Sequence, residues 1–377
     1  MRVALLSAPP VPSHGWGRYT RDLIVSLVGQ QVEVVLVTSP DAPADPELPL
    51  AGYYRILPSF VTPTRFTSLR LLTAIPAVAK ATANCDLIHV IVEPYALSVP
   101  MTRRMVVTAH GTYIPRTVER RPFGALYRRA YQRASVICVS GYTQKRVQAA
   151  IPELRSIVIP NGVNFEHYQQ SGTQPTKRGP TVLAVGQMKA RKGFHILAQA
   201  MRAVRKAIPD AEAVFIGDQA DTTYVNAIQA QLERDGLTGA VHLLGRVPDD
   251  VLLGWYHAAE IFALPALNIG KQFEGFGLVY LEANAAGLPA IGTLDCGAEE
   301  AICDGETGFL IPQNDVAATA ETVTRLLKDG SLRHSMGEAA KRHAQKHGWN
   351  EIARRVKEVY TNHYRTGIFD APEFRTL

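Results

Sequence analysis

The sequence has few cysteines and no long apolar run, and each shortage excludes a class of protein. The four cysteines, Cys85, Cys138, Cys296 and Cys303, are scattered, with no CxxC pair and no histidine at metal-ligand spacing. We therefore expect no metal site at these residues, but small buried thiols in a reducing compartment. No stretch reaches the roughly 18 uninterrupted apolar residues that a membrane span requires.

The amino terminus also lacks the pattern of a secretion signal. The apolar run Val3–Leu6 is followed by Pro9-Pro10 and is too short for the hydrophobic segment of a signal peptide. We therefore expect a cytoplasmic protein, which one of the alternatives below places at the inner face of the cell membrane.

Length and composition indicate an ordinary globular protein of two domains. The chain has 377 residues, and cores larger than roughly 250–300 residues tend to divide. Hydrophobic residues make up 46% and charged residues 20%, which excludes a disordered chain because enough apolar surface is available for burial. The net charge of +6 indicates anionic partners, such as nucleotide phosphates, an acidic membrane surface or nucleic acid.

Short apolar runs alternate with helix-like segments, a pattern typical of βαβ units and parallel sheets. The first series predicts a helix at Gly17–Gly29 and strands at Arg2–Ser7, Val32–Val37, Asp86–Val92, Met105–Ala109 and Ser135–Val139. The second series predicts strands at Thr181–Val185, Ala213–Gly217, Val241–Leu244, Ile261–Leu264, Ala290–Gly292 and Gly308–Ile311. The predicted fold class is α/β, with two Rossmann-like, doubly wound domains.

A polar segment separates the two series. Residues 166–180 predict a linker between an N-terminal domain, 1–165, and a C-terminal domain, 181–348, with a final helix in 349–377. Two such domains create a cleft, and open parallel sheets bind ligands beyond the carboxyl ends of their strands. We expect the chemistry in that cleft.

The most informative motif is a glycine-rich loop that leads into a helix. Glu274-Gly275-Phe276-Gly277 precedes a run of helix formers from Leu278 that Gly287 and Pro289 end. Eight positions put Glu274 and Glu282 roughly 80° apart on a continuous helix, so Glu274 belongs in the loop and Glu282 in the helix. The N–H groups of Gly275, Phe276, Gly277 and Leu278 would favour an anion such as a diphosphate. Taken alone, the motif is also compatible with a simple turn and a solvated glutamate.

Glu274 and Glu282, separated by seven residues and followed by an Ala-rich helix and Gly287-Leu288-Pro289, resemble the signature of glycosyltransferase family 4. The resemblance implies the GT-B fold, in which two Rossmann-like domains face each other across a cleft and the C-terminal helix crosses back to the first domain. It implies a retaining transferase that moves a sugar from a nucleotide-diphosphate donor to an acceptor, here unidentified. Glu274 would orient the sugar, and Glu282 would accept hydrogen bonds from hydroxyls such as those of a ribose.

Further residues of the second domain resemble the family's donor site. Lys192 matches a Lys that binds the donor diphosphate, whereas the family's Arg falls on Gln187. The phosphate clamp is then weaker, or Lys189 or Arg191 completes it.

Two more segments of this domain fit the same family. Arg246 and Val247 resemble the loop that receives the nucleobase, largely through backbone groups. The segment Gly297–Ile302 also fits, although turn chemistry explains it equally well.

The first domain contributes a glycine loop and a histidine. Gly15 and Gly17 open a helix after the first strand, where the family's glycine loop faces the donor. They do not spell GxGxxG, which argues against dinucleotide binding. His110 follows the predicted strand Met105–Ala109, and in the family a His at this strand end contacts the donor sugar; a purely structural role is the alternative.

The resemblance implies transfer that requires no metal or other cofactor. The departing diphosphate would be stabilised by the helix N-terminus at Gly275–Gly277, by Lys192 and by Arg191. The acceptor would attack from the leaving-group face, with Glu274 and His110 as the catalytic pair of side chains. Two alternatives are a non-catalytic GT-B scaffold in a polysaccharide assembly, which Gln187 favours, and a nucleotide-sugar epimerase.

Arginines and aromatic residues are concentrated between Arg116 and Arg133. Such a run is either a solvated helix face or a basic patch that binds an anionic membrane and brings the enzyme to a lipid-linked acceptor, as in several members of the family. Nucleic-acid binding is not expected, because no recognised motif accompanies the charge.

Overall fold

The chain divides into two units, each built on one parallel sheet. In a computed structural model, residues 1–11, 15–43, 45–59 and 64–366 are described. The first unit is Met1–Gly162 together with the chain from Trp349, and the second is Val163–Gly348.

The first unit alternates strands and helices along the chain. Its elements before the second unit are β1 (Arg2–Leu6), α1 (Gly15–Gly29), β2 (Glu33–Thr38), β3 (Gly52–Arg55), α2 (Arg65–Thr73), α3 (Ile75–Ala81), β4 (Leu87–Val90), a 3₁₀ helix (Glu93–Ser98), β5 (Met105–Ala109), α4 (Tyr113–Val118), α5 (Gly124–Gln132), β6 (Ser135–Cys138), α6 (Gly141–Ala150) and β7 (Ser156–Val158). The sheet order is β3-β2-β1-β4-β5-β6-β7, and every neighbouring pair is parallel. The order reverses between β1 and β4, where ligands bind in doubly wound sheets.

The second unit repeats this architecture. Its elements are two 3₁₀ helices (His167–Gln169 and Ala190–Lys192), β8 (Thr181–Val185), α7 (Phe194–Ala207), β9 (Glu212–Ile216), α8 (Thr222–Arg234), β10 (Val241–Gly245), α9 (Asp249–Ala258), β11 (Ile261–Ala263), α10 (Leu278–Ala285), β12 (Ala290–Thr293), α11 (Ala298–Ala301), β13 (Gly308–Ile311), α12 (Val316–Lys328) and α13 (Gly330–Lys346). The parallel sheet has the order β10-β9-β8-β11-β12-β13, which reverses between β8 and β11. This is the dinucleotide-fold order, so the predicted α/β class with Rossmann-like domains is confirmed.

The last helix, α14 (Trp349–Thr366), belongs to the first unit. Ile352, Val356 and Tyr360 recur every four residues and are fully buried in the core that includes Leu23 and Leu27 of α1. Tyr360 also hydrogen-bonds through its hydroxyl to Nδ1 of His89 in β4, at 2.6 Å. The predicted return of the C-terminal helix to the first domain is therefore confirmed for its described part.

The sequence pattern did not predict two of the strands, and there is a physical reason. β3 and β7 lie at the two edges of the first sheet, and neither is an apolar run: Gly52–Arg55 is half-exposed to exposed, and Ser156–Val158 has three residues. Buried strands show as apolar runs because both faces are covered, whereas edge strands do not.

The predicted linker, residues 166–180, packs on the second unit. Gln169 donates its side-chain amide to the carbonyl of Ala285 at 2.5 Å, and Thr173 donates its hydroxyl to the Asp250 carboxylate at 2.7 Å. The ring of Tyr168 meets the ring of Tyr256 edge to face, with centroids 5.5 Å apart. The division between the units accordingly falls at Gly162, ahead of this segment.

Two expectations from composition can be compared with the structure. Within the described ranges, no helix combines the length and the apolar character needed to cross a membrane. All four cysteines are free; Cys85, Cys138 and Cys296 are buried as expected, and Cys303 is half-buried.

Candidate active site

The reversal point of the second sheet gathers the residues of the predicted donor site. The loop after β8 carries Lys192, and the loop after β11 carries Glu274. Because β8 and β11 are adjacent and parallel, both loops leave the same edge of the sheet. A spacing of 82 positions along the chain thus becomes a direct contact.

Glu274 is held by two cations. Its Oε2 lies 2.6 Å from Nζ of Lys192 and 3.0 Å from Nη1 of Arg191, and the residue is only 7% exposed. Burial alone raises the pKa of Glu274, but the charges of Lys192 and Arg191 outweigh burial and hold that pKa below its ordinary value. The side chain is therefore an anion. Burial lowers the pKa of Lys192, and the charge of Glu274 opposes that shift.

The loop between Glu274 and α10 is held in place by contacts with Gly297. Gly277 caps the helix with φ at 84°, a conformation that favours glycine. The N–H of Gly297 donates to the carbonyl of Glu274 at 2.8 Å, and a Cβ at Gly297 would lie 2.1 Å from the Gly275 oxygen. Gly275, Phe276 and Gly277 are all buried.

The start of α10 lies close to the cation pair. Leu278 is the first helical residue, and Glu274, four positions ahead, contacts Lys192. The first N–H groups of a helix have no partner inside it and point along a dipole that favours negative charge. The predicted donor residues Gly275, Phe276, Gly277 and Leu278 are thus brought next to the predicted phosphate ligands.

Glu282 lies in α10 as predicted, but its carboxylate is already occupied. Glu282 is 3% exposed, and its Oε2 accepts the hydroxyl of Tyr256 in α9 at 3.0 Å. Tyr256 is fully buried and is packed in turn by Tyr168. If Glu282 accepts hydrogen bonds from ribose hydroxyls, as predicted, it must use a lone pair other than the one that Tyr256 occupies.

The structure distinguishes Lys189 from Arg191, the two candidates for the second phosphate cation, and shows where Gln187 lies. Arg191 reaches Glu274 alongside Lys192. Gln187 and Lys189 are exposed at the surface of the loop, and the charge of Lys189 acts on Asp218 instead. Arg191 is thus the residue positioned to complete a clamp.

Arg246 and Val247 follow β10, at the same sheet edge. Arg246 donates from Nη2 to Oδ2 of Asp218 at 2.7 Å, and this bond lowers the pKa of Asp218. Asp218 itself follows β9, so the ion pair joins two adjacent strand ends. Val247 is half-buried, next to a backbone that turns at Gly245 with φ at 69°.

The two glycines of the first unit differ. A Cβ on Gly17 would lie 2.1 Å from the carbonyl oxygen of Val11, so this glycine is required by the packing of its own chain. Gly15 has no neighbouring atom within 4 Å of such a Cβ and is exposed at the start of α1. Of the two, Gly15 is the one that faces open space, where a ligand can approach.

His110 follows β5 and presents an unpaired ring nitrogen. Its Nε2 is buried and has no hydrogen-bond partner among the described residues. The ring meets Tyr19 edge to face, with centroids 4.6 Å apart. Burial lowers the pKa of His110 to about 3, so the imidazole is neutral at pH 7 and offers one donor and one acceptor.

The sequence motifs did not indicate three residues that contact predicted site residues: Asp218, Tyr256 and Glu93. Asp218 and Tyr256 meet their partners only through the fold. Glu93 carried a readable signal, since it is a carboxylate three positions after the end of the apolar strand β4.

The arrangement suits the binding of a diphosphate and the stabilisation of its charge. It supplies Lys192, Arg191 and a helix N-terminus on one side and a fixed carboxylate, Glu274, on the other. In the part of the chain that the structure describes, no three His, Cys, Asp or Glu side chains are grouped as metal ligands.

Two family models match the chain. The model described as "Glycosyltransferase Family 4" matches residues 13–167, and the model described as "Glycosyl transferases group 1" matches residues 167–343. The junction lies close to the division between the two units.

Curated relatives carry transferase names. A D-inositol 3-phosphate glycosyltransferase of Corynebacterium urealyticum is 29% identical over 55% of this chain and 51% of its own, so the chain spans about half the length of that relative. A GDP-mannose-dependent alpha-(1-6)-phosphatidylinositol monomannoside mannosyltransferase of Mycobacterium tuberculosis is 26% identical over 86% of this chain and 88% of its own.

A solved structure shares the fold. Sucrose-phosphate synthase from Thermosynechococcus elongatus superposes with a TM-score of 0.80 at 21% identity, over 96% of this chain and 98% of its own. At that level of identity the similarity supports the fold alone, which is the GT-B fold. Because the two family models together span residues 13–343, the chain belongs to glycosyltransferase family 4.

Proposed function

We propose that this protein is a retaining, metal-independent glycosyltransferase that uses a nucleotide-diphosphate sugar. The observation that carries the proposal is the contact of Glu274 with Lys192 and Arg191 beside the N-terminus of α10. The cluster joins a binding site for a diphosphate to a carboxylate within reach of the group attached to that diphosphate.

The charge balance of the cluster suits a departing diphosphate. Two cations against one carboxylate leave one positive charge, and the dipole of α10 adds roughly half a charge. Cleavage of the bond from sugar to phosphate increases the negative charge on the leaving group, and fixed cations and N–H groups stabilise that charge without reorganising. These groups supply the stabilisation for which a divalent metal is an alternative, so we propose that EDTA leaves the activity unchanged.

Glu274 has two roles in this proposal. Without a donor it is the counter-ion of Lys192 and Arg191. When the diphosphate takes over these cations, the carboxylate is released to accept hydrogen bonds from the sugar hydroxyls. A carboxylate whose pKa is held low is a weak base, which supports a role in orienting the sugar and attack by the acceptor from the leaving-group face.

His110, in the first unit, has the chemistry to bind a sugar hydroxyl. A neutral imidazole with an unpaired Nε2 binds a sugar hydroxyl without placing a charge next to it. We propose that Nε2 contacts the donor sugar during transfer.

The first test is ligand binding followed by transfer. Thermal shifts are recorded with UDP, GDP, ADP and TDP, with and without EDTA, since a ligand that binds only the folded protein raises its melting temperature. Stabilisation by one diphosphate with EDTA present supports the donor site; GDP is the first candidate, because one relative's name specifies GDP-mannose. No stabilisation by any of them would favour the non-catalytic scaffold.

Substitution of Glu274 then tests the chemistry. Glu274→Gln is expected to lower kcat by at least about 100-fold, the size of effect seen when one group that stabilises a transition state is removed. Glu260→Gln is the matched control, because Glu260 is also an ion-paired carboxylate, with Lys177, but precedes β11 and so lies at the opposite end of that strand. Equal kcat in both variants would remove Glu274 from the mechanism, and inversion of the anomeric configuration in the product would remove the retaining course.

We further propose that the acceptor is lipid-linked and that the first unit binds an anionic membrane. Phe66 and Leu69 of α2 are 70% and 52% exposed, and Arg65 and Arg70 flank them on the exposed side of the helix. Exposed apolar side chains bordered by arginines are typical of helices that lie in a membrane interface.

Part of the arginine-rich segment Arg116–Arg133 lies next to α2 and belongs to the same proposed membrane-binding surface. Ser68 of α2 hydrogen-bonds to Tyr127 of α5 at 3.1 Å, so the two helices are neighbours. Leu126, in α5, is 45% exposed. Arg133 is different, because its guanidinium donates to backbone carbonyls, including that of Val99 at 2.9 Å, and is part of the fold.

Liposome co-sedimentation tests the membrane contact. The wild type is expected to sediment with anionic vesicles and not with neutral ones, and Phe66→Ser with Leu69→Ser to abolish this binding. Val25→Ser is the control, because Val25 is a large apolar residue of α1 with 51% exposure. Equal recovery of the wild type with both kinds of vesicle would refute the membrane contact but leave the transfer reaction untouched.

A further inference from the structure

A buried carboxylate at the reversal point of the first sheet contacts the backbone that carries His110. Glu93 opens the 3₁₀ helix after β4 and is 0% exposed. The N–H of His110 donates to its Oε1 at 2.9 Å, and the neighbouring N–H of Gly111 also lowers the pKa of this carboxyl group. One side chain thus holds the loop after β5 at the His110 peptide.

Among the described residues, no cation acts on Glu93. Its other oxygen, Oε2, is buried and has no hydrogen-bond partner among the described residues. The titratable groups that sense its charge are the Tyr131 hydroxyl of α5 and the Cys138 thiol of β6, both neutral at pH 7. Burial raises the pKa of Glu93 to about 7, opposed by the peptide N–H groups of its own residue, His110 and Gly111.

A carboxyl group in such a place is costly. Burying a carboxyl without a counter-ion is unfavourable by several kcal/mol in its ionised form. Packing alone does not explain it, because an apolar side chain of the same size avoids this cost. The carboxyl group supplies an acceptor for the backbone N–H of His110, which an apolar side chain cannot do.

His110 depends on its backbone for orientation. The buried Nε2 of its ring has no described partner, and the ring is placed by contact with Tyr19. A shift of the His110 peptide therefore moves Nε2 directly, with no side-chain bond at that nitrogen to correct the displacement.

We propose that Glu93 is a positioning residue for sugar transfer: its carboxyl group fixes the His110–Gly111 peptide units and thereby the place of the His110 imidazole. The inference rests on the proposed function, since it assumes that His110 contacts the donor sugar. It assigns to Glu93 the role of an acceptor for peptide N–H groups and not that of a charge.

Two substitutions of Glu93 separate the effect of the position of its acceptor oxygen from the effect of its charge. Glu93→Gln keeps an oxygen at the position of Oε1 and removes the charge. Glu93→Asp keeps the carboxylate and withdraws it by one methylene, beyond the N–H of His110. Glu212→Asp in the second unit is the matched control, because Glu212 is also a buried carboxylate that accepts from peptide N–H groups, those of Arg178 and Gly179, but lies at the start of β9.

The readouts are steady-state kinetics with the donor found by the screen, and amide hydrogen exchange of residues 105–115. Glu93→Gln is expected to keep kcat within about threefold, and Glu93→Asp to lose roughly 10- to 100-fold in kcat with little change in donor KM, the cost of a displacement near 1 Å. The exchange of the His110 and Gly111 amides is expected to rise in Glu93→Asp only. Glu212→Asp is expected to lower the melting temperature without changing kcat.

Several outcomes would overturn the assignment. If Glu93→Asp retains wild-type kcat, or if Glu93→Gln is the more impaired variant, the carboxyl group does not act by positioning. Unchanged exchange in Glu93→Asp would overturn it even without an assay for transfer. A wild type that transfers no sugar would refute the proposed function instead, and hydrogen exchange would still decide whether Glu93 holds the loop.

Discussion

Gly297→Ala tests whether the loop behind Glu274 sets the geometry of the donor site. Gly297 has φ −68° and ψ −5°, an ordinary conformation for any residue, so alanine brings no backbone strain. The new methyl carbon would lie 2.1 Å from the oxygen of Gly275 and 2.5 Å from the nitrogen of Phe276. The substitution therefore acts by contact with the peptide unit that leads into α10.

The magnitude follows from that contact. Real Cβ atoms do not approach other heavy atoms within 3.0 Å, so the two loops must separate by roughly 1 Å. Overpacking of this kind costs about 1–3 kcal/mol of unfolding free energy. A misplacement of 1 Å at catalytic groups costs about 100-fold in rate, and we expect that loss in kcat, together with weaker binding of the diphosphate by the displaced N–H groups.

The assay compares initial rates of transfer and the Kd of the nucleoside diphosphate in Gly297→Ala and a control. Gly239→Ala is suitable, because no atom lies within 4 Å of its added Cβ and its φ is not in the left-handed region. The control is expected to match the wild type in both quantities. A folded Gly297→Ala with wild-type kcat would refute the argument, since it would mean that the Cys296–Gly297 loop yields and the Gly275 peptide stays in place.

Three further predictions concern single side chains. Lys192→Gln is expected to weaken binding of the nucleoside diphosphate by roughly 10- to 100-fold in isothermal titration, the value of a charge-assisted hydrogen bond. Lys189→Gln is the control, because Lys189 is exposed, and it is expected to change the Kd by less than about threefold. Equal losses of affinity in the two variants would contradict the assignment of Lys192 to the phosphate. Tyr256→Phe is expected to lower the free energy of unfolding by about 1–3 kcal/mol in urea, because Glu282 loses the hydroxyl that donates to its buried carboxylate; an unchanged midpoint would show that this bond contributes nothing. Burial raises the pKa of Glu93 to about 7 from an unfolded value near 4.5, so wild-type stability is lost as the pH rises between these values; Glu93→Gln is expected to flatten that dependence by about 3 kcal/mol, and parallel stability curves from pH 5 to pH 8 would refute the shift.

The architecture was predictable because it depends on local properties of the chain. Strands buried on both faces appear as apolar runs, and most of the predicted bounds agree with the structure to within one or two residues; Met105–Ala109, Thr181–Val185 and Gly308–Ile311 agree fully. The start of α10 at Leu278 followed from the glycines ahead of it and the helix formers after it. These signals involve neighbours in sequence, so no knowledge of the fold was required.

The composition of the site was only partly predictable, because its contacts join distant positions. The sequence left both Lys189 and Arg191 as candidates for the second cation, and the fold brings Arg191 to Glu274 across 83 positions. It predicted that Glu282 lies in a helix, but not that Tyr256 covers its carboxylate. Lone pairs and cations are shared among whichever residues the fold makes adjacent, and adjacency between strand ends is a property of sheet order.

The sequence by itself determined two parallel-sheet units, the glycine-rich loop ahead of α10 and the residue types available for binding a diphosphate. The tertiary structure decided which of those residues touch: Lys192 and Arg191 on Glu274, and Glu93 on the peptide of His110, 17 positions away. The physical reason is that helix and strand formation follow from short-range periodicity, whereas the partners and protonation of a buried carboxylate depend on every group packed around it.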